Sequence, residues 1–144
     1  MRINTKNFGE IDIEDSSIIE FKNGLIGFDL FKKFSIINIE NEGFESFFCL
    51  QSIEEPSLSF IITDLSKSIP EYNPIVDQNT ISDSEIDIDN IEIYNTITLA
   101  DEISDSTINL KAPIIIDNNK GIQIICQNDD YPIKARFFNL KELV

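Results

Sequence analysis

Short Ile-rich runs, each broken by turn-forming residues before a helical period can develop, constrain this chain more than any other feature. The clearest case spans residues 106–127, STINLKAPIIIDNNKGIQIICQ. Ile114, Ile115 and Ile116 form a β-branched run suited to a sheet. Asp117, Asn118, Asn119, Lys120 and Gly121 tolerate left-handed backbone angles and accept local hydrogen bonds, so the chain reverses and residues 122–127 return as a second strand. Pro113 has no N–H to donate and biases Ala112 away from helix, which marks a strand start or an edge.

The rest of the chain follows the same pattern. Residues 2–5 and 10–13 read as strands joined at Asn7, Phe8 and Gly9, with Ile11 and Ile13 on one face and Glu10 and Asp12 on the other. Further strands are expected at 18–21, 34–39, 46–52, 58–63, 91–99 and 133–138. In 91–99, Ile91, Ile93, Ile97 and Leu99 lie opposite Glu92, Tyr94, Thr96 and Thr98. Gly24 and Gly27 permit a compact turn. Residues 29–33 suit one helical turn, 40–45 a loop around Gly43, 54–56 a turn, 100–105 a loop and 139–144 a frayed helical turn. Residues 64–90, interrupted by Pro70 and Pro74, read as a long connection with one short helix beginning at Thr80 or Ser82, where Thr80 and Asp83 resemble a capping box. The expected fold class is all-β: an antiparallel β-barrel or sandwich of short strands, with at most one or two short helices, in one domain covering residues 1–144.

Charge narrows the partners. The chain carries 26 Asp and Glu against 11 Lys and Arg, a formal net charge of -15. Such a balance argues against direct binding to nucleic acid or an anionic membrane, and makes a basic protein the natural complement. The same acidity also serves solubility and favours a monomer when the protein is alone. Cys49 and Cys126 sit in apolar runs where a thiol packs as a small hydrophobe, so no disulfide framework is implied. Without a signal region or a membrane-length apolar run, the expected location is the cytoplasm.

The chain contains no histidine. A Ser-His-Asp triad, a Cys-His pair and a His-ligated zinc site are therefore excluded. Carboxylates leave one enzymatic option, paired acid and base residues or a metal site on a small β-barrel. The candidates are Glu54 with Glu55, Asp129 with Asp130, and the alternating Asp83, Glu85, Asp87 and Asp89. Adjacent turn carboxylates are expected to point apart into water. A calcium loop starting at Asp83 would have Ile88 where the sharp-turn Gly belongs and Tyr94 where the bidentate Glu belongs, so the set reads instead as a solvated face with Ile86 and Ile88 behind it. Phe28, Phe47, Phe48 and Phe60 are expected in the core.

The ordered set TKNFGEIDI, FKNGLIGFDLFKKF, FFCLQSIEEPSLSFIITD and STINLKAPIIIDNNKGIQIICQNDDYPIK resembles the FliW family of flagellar assembly factors along nearly the whole chain. The family's Gly-Ile-Pro-Gly-Phe turn reads Gly24, Leu25, Ile26, Gly27, Phe28 here, so Ile26 replaces a turn proline. The resemblance implies a non-enzymatic, cofactor-free, cytoplasmic regulator. Proteins of this kind bind flagellin or, alternatively, the translational repressor CsrA, and so relieve repression of flagellin mRNA once flagellin has been exported. The expected contact residues are polar positions within the strand motifs. Gln51 and Ser52 end one strand, Asn109 precedes another, and Gln123 and Tyr131 flank the hairpin's return. Tyr72 and the acidic Asp83, Glu85 and Asp87 join them. For Gln51, Ser52, Asn109, Gln123 and Tyr131 taken singly, satisfying backbone groups at a strand end or barrel seam is the favoured role over contact.

Overall fold

The computed structural model describes residues 1–39, 46–137 and 140. The expected 40–45 loop, the end of the last strand at Phe138 and nearly all of the 139–144 tail lie outside them. A hairpin of β1 (Arg2–Thr5) and β2 (Gly9–Asp12) comes first. Then follow β3 (Ile18–Phe21), β4 (Lys33–Asn38), β5 (Phe47–Ser52), β6 (Ser59–Thr63), helix α1 (Gln78–Asp83), β7 (Glu92–Thr98), β8 (Thr107–Ile108), β9 (Ile114–Asp117), β10 (Lys120–Gln123) and β11 (Ala135–Arg136).

Strands β3 to β7 form an antiparallel meander; β10 joins β3 in parallel, β9 pairs β10, and β9 returns to β7. Closure comes through Glu92↔Ile116, Ile93↔Ile115 and Tyr94↔Ile114. The result is a barrel of seven strands, with β8 and β11 extending from the far half of β7. Closing the sheet pairs the strand edges that an open sheet would expose. One strand can serve two neighbours because β7 is the longest: residues 92–94 meet β9, while Ile97 and Thr98 meet β8.

The core explains the continuous Ile run. Ile114 and Ile116 point into the barrel with Phe21, Phe34, Leu50, Ile62 and Tyr94, whereas Ile115 points outward against Ile81, Ile86, Ile122 and Ile124. A strand covered on both faces reads as an unbroken apolar run rather than an alternating one. A third cluster, including Leu65, Ile69, Ile108, Leu110, Cys126 and Tyr131, fastens the 64–76 connection over β7 and β8. Both cysteines are buried, and burial pushes the Cys49 thiol up.

Several expectations need correction. The helix begins at Gln78, because Asp77, rather than Thr80, caps it: the Asp77 carboxylate accepts from the Asn79 N–H and the Thr80 hydroxyl. The hairpin reverses over Asn118 and Asn119 alone, with Asn118 at φ 54, so its second strand is Lys120–Gln123 rather than 122–127. Gly121 is therefore not a turn residue. It lies on the ring of Phe21, where a Cβ would come within 2.5 Å. The last strand shrinks to Ala135–Arg136, and residues 29–33 hold no helical turn. Leu99, Ile88 and Phe28 are exposed. Tyr94 is buried although it lies on the expected polar face, since inside a closed barrel that face is the interior.

Candidate functional site

Most of the polar positions singled out in the strands are bonded within the fold. Gln51 is fully buried at the end of β5, and its amide donates to the carbonyls of Ser52, Pro56 and Leu58. The Ser52 hydroxyl accepts from the Glu54 and Glu55 N–H groups, shaping the turn into β6. The Tyr72 hydroxyl donates to the Leu110 carbonyl and accepts from Asn95, whose amide also reaches the Asn109 carbonyl. Asn109 Oδ1 accepts from the Lys111 and Ala112 N–H groups. The ring of Tyr131 stacks on Tyr72 at 5.2 Å, and its hydroxyl accepts from the Asn73 N–H.

Tyr72, Asn109 and Tyr131 thus come together as one brace, with Asn95, which sequence reasoning missed. No local pattern marks Asn95, because its partners are 14 and 23 residues away. Burial, the largest cause, raises the Tyr72 phenol well above its ordinary range. The same holds for Tyr94, whose hydroxyl also donates to the Glu92 carboxylate.

Gln123 lies at the opposite end of the β9–β10 pair from the turn and bridges two segments. Its amide donates to the Ala112 carbonyl, and its Oε1 accepts from the Ile26 N–H at 2.9 Å. That bond holds the Gly24–Phe28 turn against the barrel. Gly24 sits at φ 68 with Asp29 so close that a Cβ would meet its Cα at 2.6 Å, and Gly27 sits at φ 84. Glu54 is exposed but bonded: its Oε1 accepts from the Lys32 and Lys33 N–H groups, where this loop rejoins the barrel.

Asp83, Glu85 and Asp87 are exposed, yet not along a strand. Asp83 ends α1, Glu85 takes φ 61 and pairs with Lys120 at 3.6 Å, and Asp87 caps a 3-10 turn by accepting from the Asp89 N–H. Ile86 is buried beneath them, while Ile88 is not. Among the described residues no group of three or more His, Cys, Asp or Glu side chains is arranged to hold a metal ion. Among them, too, no helix is long and apolar enough to cross a membrane.

Fold and surface together define a small closed β-barrel whose strand-end polar groups serve its own backbone, and whose exposed large apolar side chains lie outside the strands. Residues 2–137 match the family described as FliW protein. A flagellar assembly factor FliW from Lachnospira eligens is 36% identical over 97% of this chain and 96% of its own length. One from Thermoanaerobacter pseudethanolicus is 41% identical, over 93% of this chain and 91% of its own. The crystal structure of a flagellar assembly factor FliW superposes with a TM-score of 0.84 at 33% identity, covering 94% of this chain and 96% of that one. The chain belongs to the FliW family of flagellar assembly factors.

Proposed function

We propose that this protein works in the cytoplasm by binding flagellin and, in its absence, the translational repressor CsrA, so that free flagellin releases CsrA to silence flagellin mRNA. The observation that carries this reading is the family match along residues 2–137. The charge supports it. A net charge of -15 suits a basic, RNA-binding partner and disfavours RNA itself. Exposed Asp83, Glu85 and Asp87 are the proposed acidic contacts for that partner. Tyr72, Asn109, Tyr131, Gln51, Ser52 and Gln123 then act by holding the loops that carry contacts rather than as contacts themselves.

The mechanism has two parts. The protein occupies CsrA, and its negative field repels the phosphate backbone. A gel-shift assay of CsrA on flagellin leader RNA, with increasing amounts of this protein, tests both. RNA release that weakens steeply as salt rises is expected, because exposed charges are screened within about 8 Å at physiological ionic strength. Salt-independent release would leave a purely conformational mechanism, and no release at any salt would overturn the link to CsrA. The double substitution Asp83→Asn and Asp87→Asn is expected to weaken CsrA binding several-fold without loss of fold.

A further inference from the structure

The N-terminal hairpin is attached to the barrel unlike the other strands. β1 and β2 pair with each other, from Arg2↔Asp12 to Thr5↔Gly9, and with no strand of the large sheet. Most of its bonds are internal. The Thr5 hydroxyl donates to the Gly9 carbonyl and accepts from the Phe8 N–H, the Ile13 N–H donates to the Met1 carbonyl, and Arg2 pairs with Glu10 at 2.9 Å and Asp12 at 3.9 Å. Among the described residues, hydrogen bonds tie residues 1–17 to the barrel only at the hairpin's two ends. At the tip, the Lys6 N–H donates to the Pro56 carbonyl at 2.9 Å and the Asn7 amide to the Ser59 hydroxyl at 3.2 Å. At the base, Ser35 clasps Ser17, hydroxyl to hydroxyl, at 3.0 Å.

What lies beneath is covered rather than packed into the core. Ile3 and Cys49 are buried, yet neither belongs to the three apolar clusters. Cys49 and Gln51 alternate along β5 with Phe48 and Leu50 of the barrel interior, so they face outward. The tip bonds place the hairpin over them. Ser59, which takes the Asn7 amide, also hydrogen-bonds the Cys49 thiol, and the Pro56 carbonyl, which takes the Lys6 N–H, also accepts from the Gln51 amide. Gln51 Oε1 is buried with no partner among the described residues, a cost that access to water relieves. A lone two-stranded hairpin has little stability of its own, and a segment held by few bonds opens more readily than the whole fold. The exposed 3-10 turn Asp15–Ser17 supplies a pivot.

We propose that residues 1–13 form a hinged flap that lifts from the outer face of β5 and β6 about the Ser17–Ser35 clasp while the barrel stays closed, so that the face carrying Cys49, Gln51 and Ser59 is alternately covered and bared. The device is an equilibrium built into the fold, and it needs no rearrangement of the barrel strands.

Alkylation of the intact protein by iodoacetamide, read by mass spectrometry of the peptides that contain Cys49 and Cys126, tests it. Both thiols are buried, and Cys126 lies in the cluster over β7 and β8, away from the hairpin, so it serves as the control. Cys49 is expected to react roughly tenfold faster or more, at a rate nearly insensitive to low urea because lifting the flap exposes little surface, whereas Cys126 labelling should rise steeply with urea. Asn7→Ala severs a tip bond and Ile3→Ala shrinks the buried patch; each is expected to speed Cys49 severalfold and leave Cys126 unchanged. Cys49 labelling no faster than that of Cys126, the same urea dependence for both thiols, or variants that leave Cys49 unchanged or speed both thiols alike would overturn the proposal. No partner protein enters the assay, so its outcome is independent of the reading of the previous subsection.

Discussion

Three glycines illustrate how single positions in this fold carry different constraints, and each predicts a different cost. Gly9 has φ 68 and nothing within 4 Å of a built Cβ, so Gly9→Ala suffers backbone strain alone, about 1–2 kcal/mol. Gly121 has an ordinary φ, but a Cβ there would come within 2.5 Å of the Phe21 ring, so Gly121→Ala overpacks the barrel wall at about 1–3 kcal/mol. Gly24 combines φ 68 with the Asp29 backbone, which an added Cβ would meet at 2.6 Å, and Gly24→Ala should cost more than either. Urea unfolding midpoints of the three variants check this order. A Gly24→Ala protein as stable as Gly9→Ala would show that the turn can relax away from Asp29.

At the scale of elements, two devices fix the long connection between β6 and β7. Asp77 caps α1, and Asp77→Ala is expected to cost about 1 kcal/mol. Faster amide exchange confined to residues 78–83 would confirm the local origin. The second device is the brace of Tyr72, Asn95, Asn109 and Tyr131. Tyr72→Phe removes the bond to the Leu110 carbonyl and leaves the Asn95 amide with one partner fewer, at about 1–3 kcal/mol. It also changes the response to alkali. Burial raises the folded Tyr72 phenol, so above the ordinary value of 10.0 the unfolded chain loses this proton first. The stability it contributes is complete below pH 10.0 and falls as pH rises above it. Denaturant titrations at neutral pH and above pH 10 should show a smaller alkaline loss in Tyr72→Phe than in the wild type.

These same elements show what was legible in the sequence. The strands of the meander were, because period-two patterns and turn residues are local signals. Asp77 and Thr80 are both cap-forming residue types, and only the backbone shows that Asp77 is the cap. Gly121 was mistaken for a turn residue because its reason, the ring of Phe21, lies a hundred residues away in sequence. The apolar surface of the 22–33 loop was not legible, since the sequence pointed only to polar and acidic contacts and put Phe28 in the core. Exposure of Ile26 and Leu30 depends on how Gln123 and Glu54 fasten the loop, a long-range fact with no local signature.

For the molecule as a whole, closure is what makes the surface available. With seven strands paired around the barrel, its core needs no partner to cover it, and the connecting segments are free to carry exposed side chains: carboxylates at 83–87, and Ile26, Phe28 and Leu30 along 22–33. Such loops suit the partner exchange proposed above. Isothermal titration of the purified protein with CsrA, and then of that complex with flagellin from the same organism, measures the exchange directly. The partner-switch reading predicts that each binds alone and that flagellin displaces CsrA. Flagellin that binds without displacing CsrA, or a CsrA that does not bind at all, would contradict it.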